Sequence, residues 1–479
     1  MKWCFIVNNA PFLTEFFIKL SREVVKTNDE CLVILTSKFV EYEKKMLFPA
    51  PTKFISKVDW IRQSYRPGSV AFHNVSWKEF FPLFDRSKRI SLDYEKAFDR
   101  TDQDYQFYQY IFESENPDLI LFEPPSGIGT EIAYLFARER KIPYLGILVS
   151  RIPDRLEICD LECVDAHSCS LFEHLLMEEI TSEEREFAQN YIRSFLLHTK
   201  VPSYVGTQKV IFSPLGFIWH YIQAIRKKGK ALVWYAKIRK EVKRYDVESE
   251  IRWMRSFAAP LEMLRRQFRI LSQKRIYSLY DERDKNRFFV YPLQLQPETS
   301  TSLCATYYND QLSTIQNIAF TLPFPYKLYV KEHPAAIGTR ENLFYKRLKK
   351  IPHVVLIAPE EQVSRLIKNC CGVITLTSTV GMESALAGKP TYVLGSAAYE
   401  YHPLCRKISS FDQLRESLRQ DRERPPESPD LQELNLRFIV SYLRRTLQGD
   451  IIASCRETDS NNYAEIYQSF RRRALELRG

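Results

Sequence analysis

The chain has 479 residues, of which 45% are hydrophobic and 27% are charged, and its formal net charge is +10. This length exceeds one ordinary core and this composition excludes a disordered or fibrous protein, so we expect two or more globular domains. The sequence contains no run of eighteen apolar residues, which argues against a transmembrane helix.

The first 150 residues alternate apolar runs with helical patterns. Strands are predicted in "KWCFIVNN", "CLVILTS", "DLILFEPPSGIG" and "IPYLGILVS", and helices over 12–26 and 130–141. Strands that alternate with helices of about ten to fifteen residues indicate a parallel, doubly wound sheet. We therefore expect a Rossmann-like domain over residues 1–166.

Residues 167–286 are predicted to be helical, because long charged, helix-favouring sequence replaces the strand pattern. Between Arg226 and Arg275 there are 16 Lys and Arg residues against 5 Asp and Glu residues, a local excess of +11. The rest of the chain therefore sums to about −1, the difference between +10 and +11. One segment thus supplies the whole basic character, and we expect it to meet an acidic partner.

Aromatic residues are interleaved with the cations of this block in "FIWHYIQAIRKKGKALVWYAKIRK", residues 217–240. Aromatic rings with cationic flanks suit an anionic membrane surface, so residues 217–275 are predicted to contact one. A solvated helix face and a nucleic-acid surface are the alternatives. No RNA- or DNA-binding motif supports the latter, and no nucleic-acid partner is predicted.

The alternation of strands and helices resumes after the basic block. Strands are predicted in "RFFVYPLQ", "KLYVKEHP", "HVVLIAP", "GVITLTST" and "PTYVLGS", with helices between them. This pattern predicts a second Rossmann-like domain over 287–410. Residues 411–479 are predicted to form C-terminal helices, with a break at "RERPPESPD". The expected fold is therefore α/β, with two Rossmann-like domains, an inserted basic helical block and a helical tail.

Three polar segments follow predicted strands of the second domain: "QLQPETSTS", "KEHP" and "TSTVG". Parallel strands place their carboxyl ends at one edge of the sheet, where ligands bind in doubly wound folds. We therefore expect these three loops to converge and to form a binding site.

The stretch "LTSTVGMESALAGKP" is predicted to hold phosphate and ribose. The hydroxyls of Thr377, Ser378 and Thr379 precede Gly381 and a predicted helix, whose free N–H groups favour an anion. Gly381 allows close backbone approach, and Glu383 would accept hydrogen bonds from ribose hydroxyls. The alternative is an ordinary Ser/Thr N-cap with Glu383 completing a capping box.

The other two loops carry candidate catalytic and donor-binding groups. Lys331 and His333 would both donate to a phosphate leaving group, unless the histidine only caps its loop. Glu298 has the placement of a catalytic carboxylate, either general base or nucleophile, and the alternative is a solvated loop acid. Gln294 and Gln296 alternate along the strand end and are predicted to read a base edge or a sugar hydroxyl.

The first domain offers weaker candidates. Glu123 and Ser126, beside the glycine-containing "SGIGTE", are predicted to face the cleft on the acceptor side, with a structural turn as the alternative. The cysteines and histidine of "CDLECVDAHSC" fit no usual zinc spacing. No metal and no cofactor are predicted.

The second-domain motifs resemble a known family. "YPLQLQPETSTS", "LYVKEHPAAIGTR" and "TLTSTVGMESALAGKPTYVLG" look like the capsule polysaccharide biosynthesis proteins, a bacterial group that includes β-Kdo transferases. The resemblance covers roughly residues 287–400. It implies a GT-B fold and a glycosyltransferase whose second domain holds a nucleotide-sugar donor; no metal is required for this, since cationic side chains and a helix start can take its place.

The resemblance also implies roles for individual residues. The family's His-Pro pair falls on His333 and Pro334, which would contact the donor phosphate. Its Ser/Thr–Gly–Glu loop falls on residues 377–383, and its acidic position falls most nearly on Glu298. The β-Kdo transferases of the group carry aspartate in that loop, where this sequence has "QPE".

The expected function is transfer of a sugar from a nucleotide-sugar to a lipid-linked capsule or other surface polysaccharide. The start "MKWCFIVNN" lacks a signal cleavage site and the cysteines lack regular spacing, which predicts a cytoplasmic enzyme with free thiols. We expect it at the inner face of the membrane. The alternatives are a teichoic-acid-type polyol-phosphate transferase, a nucleotide-sugar epimerase and a non-enzymatic peripheral membrane scaffold.

Overall fold

The computed structural model describes residues 1–68, 80, 94–159, 166–197, 214–273, 275–423, 430–456 and 458–478. The strands of its two sheets are β1 (Lys2–Val7), β2 (Glu30–Leu35), β3 (Lys53–Ser56), β4 (Leu119–Phe122), β5 (Tyr144–Val149), β6 (Arg155–Cys159), β7 (Phe288–Pro292), β8 (Lys327–Lys331), β9 (Val354–Ile357), β10 (Gly372–Thr375), β11 (Thr391–Val393), β12 (Cys405–Lys407) and β13 (Leu447–Gln448). The central strands are continuous buried apolar runs, as a parallel sheet covered on both faces requires.

Helices cover the sheets, and several begin at residues that satisfy their free N–H groups. Pro11 opens the first helix, and Thr181 and Glu184 form a capping box before the seventh. The helices are α1 (Pro11–Lys26), α2 (Lys38–Lys44), α3 (Lys57–Ser64), α4 (Tyr94–Tyr110), α5 (Ile128–Glu139), α6 (Ala166–Met177), α7 (Ser182–Leu196), α8 (Pro214–Val242), α9 (Val247–Gln273), α10 (Thr299–Ser302), α11 (Gln311–Thr321), α12 (Asn342–Leu348), α13 (Val363–Asn369), α14 (Thr379–Leu386), α15 (Phe411–Glu423), α16 (Leu431–Arg445) and α17 (Tyr463–Glu476).

Both sheets have the strand order of a dinucleotide-binding fold. The first runs β13-β6-β5-β4-β1-β2-β3, with β6 antiparallel to β5 and β13, and the second runs β12-β11-β10-β7-β8-β9, parallel throughout. The order reverses between β1 and β4 in the first sheet and between β7 and β10 in the second. Ligands bind at such switch points. The expected fold, with two Rossmann-like domains, is confirmed.

The helices between the domains do not form a separate unit. In the described part of 167–286, α6 and α7 pack against α16, and α8 packs against the first domain through Leu232 and Tyr235. The described part of the C-terminal segment 411–479 consists mainly of helices, and it also returns to the first domain. There β13 pairs with β6, and Phe470 of α17 joins the core.

Helix α9 is fixed to the first domain by its N-terminal half. Asp246 caps the helix by accepting from the Ser249 amide at 2.9 Å, and it also accepts from the Lys38 amide at 2.8 Å. The Glu248 carboxylate accepts from the Thr36 hydroxyl at 2.9 Å. Arg252 donates to Glu43 at 2.6 Å.

The C-terminal half of the same helix is fixed to the second domain. Arg266 donates to the carbonyl oxygens of Ala335 and Ile337 at 2.9 and 2.7 Å. Gln273 donates to the Arg340 carbonyl at 2.9 Å. One helix of 27 residues, about 40 Å long at 1.5 Å per residue, therefore holds the loop after β8 while its other end holds the first domain.

Most of the described cysteines are free thiols, as expected, but one is not. Cys4, Cys31, Cys159, Cys169, Cys370, Cys371, Cys405 and Cys455 are free. Cys304, however, is disulfide-bonded, so the prediction of free thiols is wrong for this residue.

No helix within the described ranges is both long enough and apolar enough to cross a membrane.

Gly338 tests the contact between α9 and the loop after β8. Its φ is +73°, and a Cβ there would lie 2.6 Å from Ile270 Cγ1 and 2.8 Å from the Arg266 carbonyl oxygen. Gly338→Ala is expected to lower the free energy of unfolding by about 1–3 kcal/mol, because it adds backbone strain and a clash. Urea unfolding measures the change.

Gly229→Ala is the matched control, since this glycine lies inside α8 and a Cβ there would meet nothing within 4 Å. It is expected to raise the free energy of unfolding by about 0.5–1 kcal/mol, through the gain in helix propensity. An unchanged unfolding midpoint in Gly338→Ala would show that α9 does not depend on this contact.

Candidate functional site

The three predicted loops meet at the switch point of the second sheet. The Leu293 amide, after β7, donates to the Lys331 carbonyl at the end of β8 at 2.8 Å. The Thr377 hydroxyl, after β10, donates to the Ser300 carbonyl in α10 at 3.1 Å. The loops after β7, β8 and β10 are therefore hydrogen-bonded to one another, as the topology predicted.

Glu298 lies directly before α10, partly exposed. Its backbone carbonyl accepts from the Ser302 amide at 2.9 Å, and its carboxylate accepts from the Ser300 hydroxyl at 3.3 Å. The short helix therefore fixes the backbone of this acid, and a neighbouring hydroxyl orients its side chain. Its predicted role at the reaction centre stays a prediction.

The two glutamines of this loop are held by contacts within the domain. The Gln311 amide group donates to the Gln294 carbonyl at 3.0 Å and to Gln296 Oε1 at 2.6 Å. Gln296 Nε2 donates to both oxygens of Asn309, at 2.6 and 2.7 Å. Gln294 is buried, and its Nε2 donates to the Pro292 carbonyl at 3.3 Å. These contacts shape the loop, and reading a ligand stays a prediction for both residues.

A buried acid that the sequence analysis missed connects two of the loops. The Glu332 carboxylate, with no exposed side-chain surface, accepts from the Tyr345 hydroxyl and from Arg340 Nε at 3.3 Å. Arg340 also donates to the Gln294 carbonyl. The partners are eight and thirteen positions along the chain from Glu332, so no local spacing marks them. Removing one partner of such a pair leaves a buried charge, at a cost of about 3–5 kcal/mol.

Lys331 and His333 are both partly removed from water. Lys331 Nζ donates to the Pro359 carbonyl at 2.7 Å. Burial lowers the pKa of Lys331 to about 8, against the opposing pull of Glu360 and nearby acids. Burial also lowers the pKa of His333. The strand therefore ends at a partly desolvated lysine, and the histidine two residues later is neutral at pH 7.

The ring of His333 has one nitrogen occupied. Nδ1 accepts from the Ala335 amide at 3.1 Å, which caps the short helical turn that Pro334 opens. In the neutral ring the proton is then on Nε2, which can donate a hydrogen bond. His333 therefore caps its loop, which was the alternative to phosphate binding. Its Nε2–H group can still donate a hydrogen bond to a ligand.

The loop after β10 begins a helix earlier than predicted. Helix α14 starts at Thr379 rather than near residue 382, and the Ser378 hydroxyl caps it by accepting from the Val380 amide at 3.3 Å. Its third residue is Gly381, so Glu383 does not complete a capping box. The Val380 and Gly381 amides of this helix start already donate to the hydroxyl and the carbonyl of Ser378, so binding of phosphate there stays a prediction.

Gly381 has a packing reason that the sequence did not indicate. A Cβ at this position would overlap the ring of Tyr399. The Tyr399 hydroxyl donates to the Ser378 carbonyl at 2.5 Å. The absence of a side chain at Gly381 therefore leaves room for Tyr399, which supports the loop. The sequence had instead suggested that the glycine allows a ligand to approach.

Glu383 is buried in α14, with 9% of its surface exposed. Burial raises the pKa of Glu383 to about 8. Its carboxyl is therefore protonated at neutral pH, and it can donate as well as accept a hydrogen bond.

The first domain has its own polar cavity, of about 880 Å³, at the switch point between β1 and β4. Glu123 and Ser126 both line it. The Glu123 carboxylate accepts from Asn8 at 3.0 Å and from the Ser126 hydroxyl at 2.7 Å. Residues of α9, among them Arg255, also line it. The two acceptor-side candidates therefore lie together on a cavity that α9 completes.

No group of three His, Cys, Asp or Glu side chains suited to hold a metal ion occurs in the part of the chain that the structure describes.

Comparison with known proteins finds one family model that matches part of the chain. Residues 250–428 match the family model described as capsule polysaccharide biosynthesis protein, which confirms the resemblance of the three motifs. The match begins within α9 and includes the whole second sheet. No curated protein matches the chain.

Solved structures that match the chain include two of KpsC from Thermosulfurimonas dismutans. The β-Kdo 2,7 transferase is 16% identical with a TM-score of 0.35, covering 69% of this chain and 79% of that one. The β-Kdo 2,4 transferase is 14% identical with a TM-score of 0.36, covering 69% and 85%. UDP-GlcNAc 2-epimerase from Neisseria meningitidis is 13% identical with a TM-score of 0.23, covering 93% and 100%.

The buried acid of α14 gives a stability test. The folded-state pKa of Glu383 lies above its unfolded value, so the folded state holds the proton more tightly. The contribution of Glu383 to the free energy of unfolding is fully present below about pH 4.5. It is lost as the pH rises to about 8, by up to ~1.4 kcal/mol per pH unit. Glu383→Gln, which cannot ionise, is expected to unfold at a higher urea concentration than the wild type at pH 8.5.

The same two proteins compared at pH 4.5 supply the control, because the wild-type carboxyl is then protonated and resembles the amide. The difference between them is expected to shrink there. An equal difference at both pH values would contradict a buried, neutral Glu383.

Proposed function

We propose that this chain, whose residues 250–428 match the model of the capsule polysaccharide biosynthesis proteins, transfers a sugar from a nucleotide-sugar donor to a glycan acceptor. The observation that carries this proposal is the meeting of three polar loops at the switch point of the second sheet. There the buried Lys331, the neutral His333 and the start of α14 lie on loops that are hydrogen-bonded to one another.

The donor's phosphates would bind to these loops. Lys331 supplies positive charge, His333 Nε2 donates a hydrogen bond, and the positive end of the α14 dipole adds to both. Thr379 and Ser378 place hydroxyls beside that helix start, and Glu383 would bind the ribose. Donors aimed at the departing phosphate favour the transition state, because negative charge grows there as the sugar leaves.

The reaction needs a base for the acceptor, and we assign it to Glu298. The acceptor oxygen forms a bond to the anomeric carbon while the bond from that carbon to the phosphate oxygen breaks. The acceptor proton passes to the Glu298 carboxylate, and the bonding electron pair leaves with the nucleotide. No metal is required in this scheme, since side chains and a helix start offset the charge.

The acceptor would bind in the first domain. Glu123, Ser126 and the amide of Asn8 present acceptors and donors that suit sugar hydroxyls. We propose a lipid-linked capsule or surface polysaccharide acceptor, and a protein that works at the inner face of the cytoplasmic membrane. The basic residues between 217 and 275 support the membrane part of this proposal.

A thermal-shift screen tests the donor site. We expect one nucleotide among CMP, CDP, UDP and GDP, or its sugar conjugate, to stabilise the wild type. His333→Ala is expected to weaken that nucleotide about tenfold or more, through loss of a hydrogen bond to a charged phosphate. The midpoint of unfolding, measured against nucleotide concentration, gives the affinity.

His353→Ala is the matched control. It removes another partly buried histidine of the same domain, whose Nε2 contacts the Ala319 carbonyl at 2.8 Å outside the three loops. It is expected to retain wild-type affinity. If no nucleotide stabilises the wild type, or if both variants bind equally well, the donor site is refuted.

Glu298→Gln separates binding from chemistry. The amide keeps the shape of the side chain but cannot take a proton, so sugar transfer is expected to fall by about 10²–10⁴-fold. Nucleotide affinity is expected to change less than about threefold. Release of nucleotide from the donor, followed by chromatography, measures turnover, and undiminished turnover would exclude Glu298 as the base.

A further inference from the structure

Helix α9 carries an exposed apolar stripe along its length. Its members recur at alternating spacings of three and four residues, which places them on one face of the helix. Their exposed fractions run from 37% to 72%. They are Met254, Phe257, Leu261, Leu264, Phe268 and Leu271.

Such a stripe is unusual for a helix so firmly attached to its own protein. Single exposed apolar residues are common, but a continuous row of six marks an interaction surface. The polar contacts of α9 with both domains come from other positions, among them Arg252, Arg266 and Gln273. The stripe therefore stays exposed although the other positions of the helix contact both domains.

The charge beside the stripe is strongly positive. Residues 254–275 contain six Lys and Arg residues and a single acid, Glu262. Arg266 and Arg269 donate to carbonyl oxygens of the loop after β8. Arg265 and Arg275 are exposed and have no ion-pair partner among the residues that the structure describes. The stripe thus has a cationic border that is free to meet an anionic surface.

We propose that this stripe docks the protein on an anionic lipid surface, with α9 lying in the plane of the interface. Leucine and phenylalanine side chains would enter the boundary between headgroups and acyl chains, and the exposed arginines would contact lipid phosphates. This rests on the proposed function, since a lipid-linked acceptor gives the contact its purpose.

A second copy of the chain fits the stripe less well. Two such helices could pair through the three-and-four spacing of a coiled coil. Pairing would, however, bring two segments with an excess of five positive charges each into contact, and like charges oppose that association. An anionic surface is complementary to both the apolar face and its border.

Helix α9 connects the proposed docking surface to both candidate sites. Arg255 of this helix lines the first-domain cavity, while Arg266 holds the loop that carries His333. A surface that binds the stripe therefore lies against the element that joins the acceptor cavity to the donor loops. Docking would hold the cavity at the interface where a lipid-linked acceptor is anchored.

Vesicle sedimentation tests the proposal with the full chain. The wild type is expected to bind vesicles of phosphatidylglycerol and phosphatidylcholine, and to bind pure phosphatidylcholine vesicles about tenfold or more less well. The double variant Leu264→Glu with Phe268→Glu is expected to lose about tenfold or more of its affinity for the anionic vesicles. Phe320→Glu, which replaces a phenylalanine of α11 that is 63% exposed, is the control and is expected to bind like the wild type.

Three outcomes would overturn the proposal. These are a wild type that ignores anionic vesicles, a double variant that binds them unchanged, and a dimer in light scattering that the double variant converts to a monomer. The last would assign the stripe to a second copy. Should the double variant fail to fold, the variant Phe268→Trp replaces it. The fluorescence emission of the introduced tryptophan is expected to shift to shorter wavelength when anionic vesicles are added. An unshifted emission would refute insertion into the lipid.

The nucleotide thermal shift, measured without lipid, separates this proposal from the proposed function. A normal shift with no vesicle binding refutes the docking surface alone. Vesicle binding with no nucleotide shift refutes the donor site alone.

Discussion

The hydrogen bonds of Arg266 to the carbonyl oxygens of Ala335 and Ile337 fix one end of α9 to the loop after β8, and the rest of the arrangement depends on that attachment. At its other end, the helix contacts the first domain through Glu248 and Arg252. The switch-point edges of the two sheets are thereby both contacted by one helix. The loop that carries His333 is thus supported from outside its own sheet.

Much of this fold follows from local sequence, because buried parallel strands are apolar runs that stand out between charged helices. β7, β8 and β10 were predicted in this way, and with them the convergence of three loops. The strands that the sequence did not indicate are short or partly exposed, such as β3 and β12. Their apolar signal is weak, and pairing with a neighbouring strand rather than their own pattern makes them strands.

The candidate site was predictable in its location and less so in its internal contacts. Topology placed the loops of Glu298 and His333 at one edge of the sheet, but only the packed structure shows that Glu332 joins His333 to Arg340 and Tyr345 there. Such partners are distant in sequence and satisfy a buried charge. Similarly, the basic block was interpreted as one surface, whereas several of its arginines hold α9 in place and others border the exposed stripe.

The central claim is that the second domain holds the nucleotide-sugar, and a crystal structure of the nucleotide complex tests it most directly. The account predicts phosphate oxygens within hydrogen-bond distance of His333 Nε2 and of the backbone N–H groups at the start of α14. A nucleotide bound instead in the first-domain cavity, beside Glu123, would contradict it and would reverse the roles of the two domains.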